Sequence, residues 1–444
     1  MNNARKTAVK VLGEVFNKNA YSNIVLGREL NKSDLNDKDK GLVTEIVYGT
    51  IKYKYTIDTI LNYFIKSNLE KLEIDVLNIL RISIYQMLYL DKIPEFAVVN
   101  EAVELTKIKS PKAAKLVNGV LRNYLRNKDI DYHNKNSKLE ELSFKYSFPK
   151  WMVKLFLESY GIEEVQKILS GLNMVPAVTV RINALRTDYE EAWKKLADNG
   201  YDIEEGKVCP EAIQIIKGRN IEDNPLFKDG LITVQDESAM MVAPSMDLEE
   251  NMIVLDLCSA PGGKACHAAE IMNNTGKILA FDIHENKLSL IRDNAERLGI
   301  KNISCAVLDA AKYSSKYKDG ADRVLIDVPC SGMGIIRKKP EIKWTKDKED
   351  IRGLVKIQRD IMLNAAKYVK EGGKLIYSTC TLNKEENEEN IRWFLKKCPD
   401  FKVEPLYFGN LDNLIYHKEG VVTILPDKNM DGFFIAKMIK HGQV

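Results

Sequence analysis

Two cysteines lie beyond the ends of predicted strands, where a thiol could act as a nucleophile. Cys330 belongs to Asp327-Val-Pro-Cys-Ser-Gly-Met-Gly334, and Cys380 belongs to Tyr377-Ser-Thr-Cys-Thr381. A thiol is reactive where it is partly exposed and nearby cations favour its thiolate, and basic residues follow the first motif at 337–339. We expect the remaining cysteines to be small buried hydrophobic residues: Cys209, Cys258, Cys266, Cys305 and Cys398.

Three aspartates end successive predicted strands of one sheet. They are Asp282, Asp309 and Asp327. Ligands of open α/β sheets bind at the carboxyl ends of the strands, where an acid can hold ribose hydroxyls or reach an adenine edge. The alternative is that each aspartate caps the turn or helix after it, which is less convincing for three consecutive strands.

A glycine-rich turn precedes these acids in Cys258-Ser-Ala-Pro-Gly-Gly-Lys264. Gly262 and Gly263 let the backbone approach a ligand, and the following helix offers free N–H groups. About half of such turns merely pack a helix on its strand, and this one matches neither the dinucleotide fingerprint nor a phosphate loop. The acidic rim suits a cationic nucleoside, which describes S-adenosylmethionine.

Two thiols beside a methyl donor have a specific use on cytosine. Its C5 carbon is too weak a nucleophile to take a methyl group directly. A thiolate that adds to C6 pushes electron density onto C5, which then attacks the sulfonium methyl group. A base removes the C5 proton and the thiol is eliminated. Methylation of an amino group needs no such adduct, so the thiol pair favours C5 chemistry.

The elements that would position these groups alternate between strand and helix after residue 253. Short apolar strands separated by helices predict a parallel sheet covered on both faces. The predicted strands are 253–257, 277–281, 303–308, 323–327 and 374–378, the helices are 264–272, 287–298, 350–369 and 385–396, and a closing hairpin spans 421–425 and 433–438.

The 444 residues exceed one domain, and we predict three. Residues 1–130 show apolar positions at helical spacing without strand patterns, which predicts an all-α domain. Residues 131–235 predict a linker and a small α+β module, with strands at 178–182 and 212–216. Residues 236–444 form the α/β domain described above.

Composition restricts the class of protein. The chain is 45% hydrophobic and 29% charged, which is ordinary for a globular protein. It lacks an apolar run of about 18 residues and the apolar segment of a signal peptide, and its cysteines and histidines do not fall at metal-ligand spacing. We therefore expect a cytoplasmic protein without a membrane span or a metal.

Positive charge concentrates near the N-terminus, where residues 1–130 hold 21 basic and 15 acidic residues. Helical spacing places Lys112, Lys115, Arg122 and Arg126 on one face, which is either a solvated surface or a phosphate-binding stripe. Further candidate RNA contacts are Arg337, Lys338 and Trp344, with Arg181 and Arg186 in the middle module. Trp344 could stack on a base or could equally anchor its loop to the protein.

These motifs, with Gln235-Asp-Glu-Ser238 and Arg337-Lys-Lys-Pro-Glu-Ile-Lys-Trp344, resemble the RNA 5-methylcytosine methyltransferases. Leu116-Val-Asn-Gly-Val-Leu121 resembles the antitermination factor NusB, which points to the bacterial RsmB (Sun/Fmu) family. The resemblance covers nearly the whole chain. It implies a NusB-like RNA-binding domain, a small α+β RNA-binding module and a Rossmann-like class I S-adenosylmethionine-dependent methyltransferase domain.

The resemblance also implies roles for residues. Cys380 would be the nucleophile, Cys330 would assist product release, and Asp327 would hold the cytosine N3/N4 edge. The residues implied to bind S-adenosylmethionine are Cys258, Ser259, Ala260, Pro261, Gly262, Gly263, Lys264, Asp282, Asp309 and Asp327. The implied reaction is C5 methylation of cytosine 967 in 16S rRNA, by a monomer acting on naked RNA or on a partly assembled small subunit.

Two other hypotheses stay open. The same chemistry could act on transfer RNA, because the NusB-like domain favours ribosomal RNA only by analogy. The chain could also be a catalytically silent RNA-binding scaffold, although a decayed site would be expected to lose at least one cysteine or acid. DNA cytosine methylation is disfavoured, because those enzymes carry their nucleophile in the Pro-Cys motif without the second cysteine.

Overall fold

The computed structural model describes residues 4–66, 68–133 and 137–442. The chain forms two compact units. The first runs to Asn173 and also includes Ile336–Thr345, and the second contains Met174–Ile335 and Lys346–Val444. No helix within the described ranges combines the length and the apolar character needed to cross a membrane.

The first unit is helical and packs around one apolar core. Its helices agree with the all-α domain that the apolar spacing of residues 1–130 predicts, and two further helices follow that range. The second of these two is kinked at Gly161, whose φ of 76° is non-helical. The helices are α1 Ala4–Lys18, α2 Ser22–Asn31, α3 Asp37–Lys52, α4 Lys54–Phe64, α5 Ile74–Tyr89, α6 Glu95–Lys109, α7 Ala114–Arg126, α8 Lys138–Tyr146 and α9 Lys150–Gly171.

The second unit contains two sheets. The smaller sheet is antiparallel, in the order β2-β3-β1-β4. The larger has the order β11-β12-β13-β9-β8-β5-β6-β7, and β10 pairs with β13. The strands are β1 Val178–Ile182, β2 Asp202–Glu205, β3 Ala212–Lys217, β4 Ile232–Val234, β5 Ile253–Asp256, β6 Lys277–Asp282, β7 Ile303–Val307, β8 Ala321–Asp327, β9 Val369–Thr379, β10 Phe401–Val403, β11 Leu414–Tyr416, β12 Val422–Ile424 and β13 Phe433–Lys440.

The large sheet is parallel from β9 through β8, β5 and β6 to β7, and β10, β12 and β13 extend it in antiparallel pairings. Helices cover both faces, because α13 and α14 share one apolar cluster with the sheet and α16 and α17 share the other. The remaining helices are α10 Tyr189–Asp198, α11 Pro225–Lys228, α12 Glu237–Met240, α13 Gly263–Ile271, α14 Leu288–Leu298, α15 Ile342–Thr345, α16 Lys348–Tyr368 and α17 Glu388–Lys397.

The segment Ile336–Thr345 completes the helical unit, although it is distant in sequence from the other helices. Glu341 accepts hydrogen bonds from the backbone N and the Oγ of Ser22, at 3.1 and 2.7 Å. Lys343 is buried, and its Nζ donates to the carbonyl oxygens of Lys52 and Ser147 and to Asn173 Oδ1. Three of these bonds pair backbone groups at helix ends, namely the N–H of Ser22 and the carbonyl oxygens of Lys52 and Ser147.

We predict that Lys343→Met lowers the free energy of unfolding by about 1–3 kcal/mol. The substitution keeps an apolar stem but removes the donor from one buried and two partly buried acceptors, and loss of a buried hydrogen bond is costly. Urea unfolding measures the change. Lys356→Met, at an exposed position of α16, is the matched control. Equal stability of the two variants would contradict the role given to Lys343.

Candidate active site

Acidic side chains surround a cavity of about 270 Å³ at the carboxyl edge of the parallel strands. Asp282 and Asp327 end β6 and β8, and Asp309 lies two residues beyond β7. All three line the cavity together with Leu257, Cys258, Ala260, Ile283, His284, Lys287, Leu308, Ala310, Ala311, Pro329, Ile357 and Ile361. The topology therefore brings together the three acids that the sequence predicted to meet.

The glycine-rich turn joins β5 to α13 at the same edge. Gly262 has a φ of 98°, and a Cβ there would lie 3.0 Å from Ile291 Cγ2, so the position requires glycine. Gly263, where α13 begins, has open space around a built Cβ. Of the predicted cofactor residues in this turn, Cys258 and Ala260 line the cavity, whereas Ser259, Pro261, Gly262, Gly263 and Lys264 are outside its lining.

Asp282 and Asp309 also form local turns. Asp282 Oδ1 accepts from the backbone N of His284 at 2.9 Å, and Asp309 Oδ1 accepts from that of Ala311 at 3.1 Å. Each aspartate can therefore cap its turn and still bind a ligand. The turn uses only one carboxylate oxygen and fixes the direction of the carboxylate. Cation partners are Lys287, at 3.9 Å from Asp282, and Lys312, at 3.0 Å from Asp309.

The two motif thiols are in direct contact. Cys330 Sγ and Cys380 Sγ lie 3.4 Å apart, and both residues are partly exposed free cysteines. The hydrogen bond with Cys380, and next the burial of the thiol, raise the pKa of Cys330 well above its ordinary value. The thiolate form of Cys330 is therefore disfavoured.

Asp327 connects the thiol pair to the cavity. One carboxylate oxygen accepts from Ser378 Oγ at 2.7 Å, and the other pairs with Lys264 Nζ at 2.6 Å. Burial opposes the charge of Lys264, but Asp327 and then Cys380 and Asp256 outweigh it and raise the lysine pKa. A charged lysine thus stands beside the thiols.

This finding changes the predicted source of positive charge. The sequence suggested residues 337–339, but Arg337 is buried, with 2% of its surface exposed. It also belongs to the segment that completes the helical unit. The sequence predicted Lys264 only as a residue of the glycine-rich turn that binds the cofactor. Its position after two glycines did not indicate a role beside the thiols.

Backbone contacts hold the Cys380 peptide in place. Gly334 N donates to the Cys380 carbonyl oxygen at 2.9 Å, and Gly432 N donates to the Gly334 carbonyl oxygen at 2.9 Å. A Cβ on Gly334 would collide with the backbone of Gly432. The second glycine of the Cys330 motif is therefore required by close packing of three loops.

Two buried acids of this region were missed from the sequence. Asp256 ends β5 and could have been found by the same strand-end rule as the other aspartates. Burial, and to a smaller extent the charge of Asp327, raise its pKa to about 7. Glu386 is fully buried six residues after Cys380, and its carboxylate accepts from Ser331 N at 2.8 Å and Gln358 Nε2 at 2.9 Å. No local pattern distinguishes it from its acidic neighbours.

The predicted basic face of α7 is exposed. Lys112, which precedes the helix, and Lys115, Arg122 and Arg126 on it all face solvent. The buried side of the helix consists of Val117, Val120, Leu121 and Tyr124. Leu116 is apolar but 41% exposed, so it does not belong to this side. The face exists as predicted, and its contact with RNA stays a prediction.

Three other candidate RNA contacts need correction. Arg337 and Arg181 are buried, so neither offers a surface for phosphate. Trp344 packs on the helical core, and its Nε1 donates to the Ile51 carbonyl oxygen at 2.8 Å with Lys54 Nζ 4.9 Å from the ring centroid. This geometry corresponds to the anchoring alternative for Trp344. Lys338 is half-buried and Arg186 is exposed.

Comparison with family models divides the chain in the same order as the fold. Residues 243–439 match the model of the 16S rRNA methyltransferase RsmB/F, and residues 2–126 match the NusB family. Residues 148–222 match a ferredoxin-like domain of RsmF/B-like methyltransferases. With the structure, these matches confirm the predicted fold class.

Full-length relatives are similar to this chain. A probable ribosomal RNA small subunit methyltransferase B of Bacillus subtilis (strain 168) is 38% identical, with 99% of each chain covered. The ribosomal RNA small subunit methyltransferase B of Escherichia coli O1:K1 / APEC is 32% identical, again with 99% of each chain covered.

Solved structures support the same architecture. The crystal structure of PH0851 matches with a TM-score of 0.83 and 28% identity, covering 99% of both chains. NSun6 from Pyrococcus horikoshii, solved with SFG, matches with a TM-score of 0.60 over 67% of this chain and 100% of that one. At 23% identity this second likeness concerns the fold alone.

We predict that Asp256→Asn removes a pH dependence of stability. Because the pKa of Asp256 rises from an ordinary 3.8 to about 7 on folding, the folded state binds a proton that the unfolded state releases between those values. Its contribution is present below about pH 4 and is lost as pH rises through 7. The amide stays neutral, so the stability difference between variant and wild type should shift in favour of the variant by up to about 4 kcal/mol from pH 4 to 8.

Urea unfolding of both proteins at several pH values measures this difference. The pKa of His267, lowered to about 4 by burial and by Arg181, acts in the opposite direction, but it is common to both proteins and cancels. Asp293→Asn, at an exposed site on α14, is the control. Parallel pH curves for wild type and Asp256→Asn would contradict the buried, protonated state.

Proposed function

Because the chain belongs to the family of ribosomal RNA small subunit methyltransferase B proteins, which use S-adenosylmethionine, we propose that it methylates C5 of a cytosine in 16S rRNA. The observation that carries the proposal is the contact between Cys330 and Cys380 at 3.4 Å, next to an acid-lined cavity. Methylation of an amino group or a hydroxyl would leave both thiols without a task. Cytosine 967 is the nucleotide we propose.

The cavity suits the methyl donor on chemical grounds. We assign Asp282, at the end of β6, to the ribose hydroxyls and Asp309, just beyond β7, to an adenine edge, because both line the cavity. The three carboxylates favour a ligand that carries positive charge, and the open face of Gly263 leaves room for close backbone approach. The donor, when bound, supplies an electrophilic methyl group on a sulfonium.

We assign the attack on cytosine to Cys380. The assignment follows from the resemblance of its motif, and Lys264 supplies a positive charge near this sulfur. Its sulfur forms a bond to C6, and the electron pair of the C5–C6 double bond moves to C5. Asp327, which borders both the cavity and the thiols, holds the N3/N4 edge of the base.

Product release requires the bond between the Cys380 sulfur and C6 to break. After C5 has taken the methyl group, its proton leaves to a base, and the electron pair of that C–H bond restores the double bond as the Cys380–C6 bond breaks. Cys330 lies at hydrogen-bond distance from the departing sulfur and can protonate the departing thiolate. The target base must leave its stack to reach these groups, so base flipping accompanies the reaction.

The exposed basic face formed by Lys112, Lys115, Arg122 and Arg126 is our candidate for phosphate contact. Such a stripe positions RNA without reading its sequence. Lys338 and Arg186 remain lesser candidates. A ribosomal RNA substrate implies a cytoplasmic location, and action as a monomer on naked RNA or on a partly assembled subunit stays a prediction.

The proposal is tested by methyl transfer from labelled S-adenosylmethionine to small-subunit ribosomal RNA from cells that lack this protein. We expect label as 5-methylcytosine with wild type and none with Cys380→Ala, because the assignment gives the bond to C6 to Cys380 alone. Cys330→Ala should attack but release slowly, so that a protein–RNA adduct survives denaturation.

Transfer RNA assayed in parallel and Cys398→Ala serve as controls. Label in transfer RNA alone would keep the chemistry and overturn the substrate. Tight RNA binding without any label would favour the scaffold hypothesis. An adduct that persists in the double variant lacking both Cys330 and Cys380 would refute the covalent assignment.

We predict that Arg122→Glu with Arg126→Glu weakens RNA binding and flattens its dependence on salt. Each phosphate contact that is lost removes about one counterion from the salt slope. Filter binding at salt concentrations from about 50 to about 200 mM gives the slope of log affinity against log salt concentration. Lys194→Glu, in α10, is the control, and an unchanged slope in the double variant would identify the α7 face as merely solvated.

A further inference from the structure

We propose that Glu386 is a positioning residue that holds Cys330 against Cys380 and determines which of the two sulfur atoms attacks. The inference rests on the proposed function, because it concerns the same two thiols. It goes further by assigning a task to a buried acid that touches neither the cavity nor the sulfur atoms.

The carboxylate of Glu386 connects three parts of the catalytic domain. Oε2 accepts from Ser331 N at 2.8 Å and from Gln358 Nε2, on α16, at 2.9 Å. Oε1 accepts from Ser331 Oγ at 2.5 Å and from Asn383 Nδ2 at 3.2 Å. A fully buried carboxylate is costly unless its oxygens are satisfied, and here both of them are.

These contacts converge on the immediate neighbours of the two cysteines. Ser331 follows Cys330, and Thr381 follows Cys380. Their hydroxyl groups lie 2.7 Å apart, and the Ser331 hydroxyl also donates to Glu386. The distance between the thiols is therefore set by a bridge between adjacent residues, which leaves the sulfur atoms themselves free for chemistry.

The same network fixes the loops that carry these residues. Gln358 Nε2 also donates to the Pro329 carbonyl oxygen at 3.0 Å, which holds the other side of Cys330. Asn387 Nδ2 donates to the Thr381 carbonyl oxygen at 2.9 Å, and Thr379 Oγ1 donates to Asn387 Oδ1 at 2.6 Å. Cys330 and Cys380 are each bracketed by bonded neighbours.

The charges around the thiols are unequal. Glu386 and Asp327 are the carboxylates that act on Cys330, and both favour its protonated form, as does Cys380. Lys264 is the cation that interacts with Cys380. Asp327 and Asp256 also interact with Lys264 and, like Cys380, raise its pKa. We therefore expect Glu386 to keep Cys330 in the role of proton donor, which leaves the attack to Cys380.

Removal of the charge with little change of shape tests this assignment. In Glu386→Gln we expect the alkylation rate of Cys330 by iodoacetamide, at pH 8 and relative to Cys380, to rise at least about 3-fold. We expect kcat for methyl transfer to fall at least about 10-fold, whereas the affinity for S-adenosylmethionine measured by calorimetry stays within about 2-fold. Peptide mass spectrometry resolves the two alkylated sites.

Glu385→Gln is the matched control, because this neighbouring glutamate is exposed. Ser331→Ala is a second variant that keeps the charge of Glu386 and removes only the hydroxyl bridge. It should lower kcat without raising the relative reactivity of Cys330. This variant keeps the test decisive if Glu386→Gln does not fold.

The alkylation pattern needs no RNA, so it separates this inference from the proposed function. An unchanged ratio of Cys330 to Cys380 alkylation in Glu386→Gln would overturn the assignment, even if activity were lost. Full activity in Ser331→Ala would overturn the bridge. A changed ratio in a protein whose wild type methylates no RNA would support the role of Glu386 and reject the proposed reaction.

Discussion

The pairing of β8 with β9 is the constraint on which the site depends. The two strands run parallel with Asp327 opposite Ser378, so the loops that leave them begin side by side. Cys330 comes three residues after β8 and Cys380 directly after β9. A register shift of one residue would place Asp327 and Ser378 on opposite faces of the sheet and would break their hydrogen bond. Contact between two thiols fifty residues apart thus follows from one backbone register.

Parts of this arrangement could be read from the sequence because their cause is local. Strand-end acids, a glycine pair before a helix and a cysteine after an apolar strand each obey rules that span a few residues. The parallel topology then brings them to one edge. Asp256 obeys the same rule, because it ends β5, the strand that precedes the glycine-rich turn.

The features that could not be predicted depend on partners far away in sequence. Glu386 lies in a run of acids, and only the fold shows that it is buried against Ser331. Arg181 is a candidate RNA contact by its residue type, but it donates to both carboxylate oxygens of Glu270 on α13 and to the Gly263 carbonyl oxygen at 3.1 Å. It thereby ties the small sheet to the glycine-rich turn. A basic residue in a strand carries no local signal that separates these two fates.

The segment Ile336–Thr345 has a consequence for biosynthesis. Glu341 is 319 residues from Ser22, and Trp344 is 293 residues from Ile51, yet both belong to the core of the helical unit. Translation starts at the N-terminus, so helices α1 to α9 leave the ribosome long before this segment, which is their last packing partner. The segment follows β8 in the chain, so the core can close only after β8 has been made. A nascent chain that stalls earlier therefore presents an unfinished helical surface, which is the kind of substrate that chaperones and proteases act on.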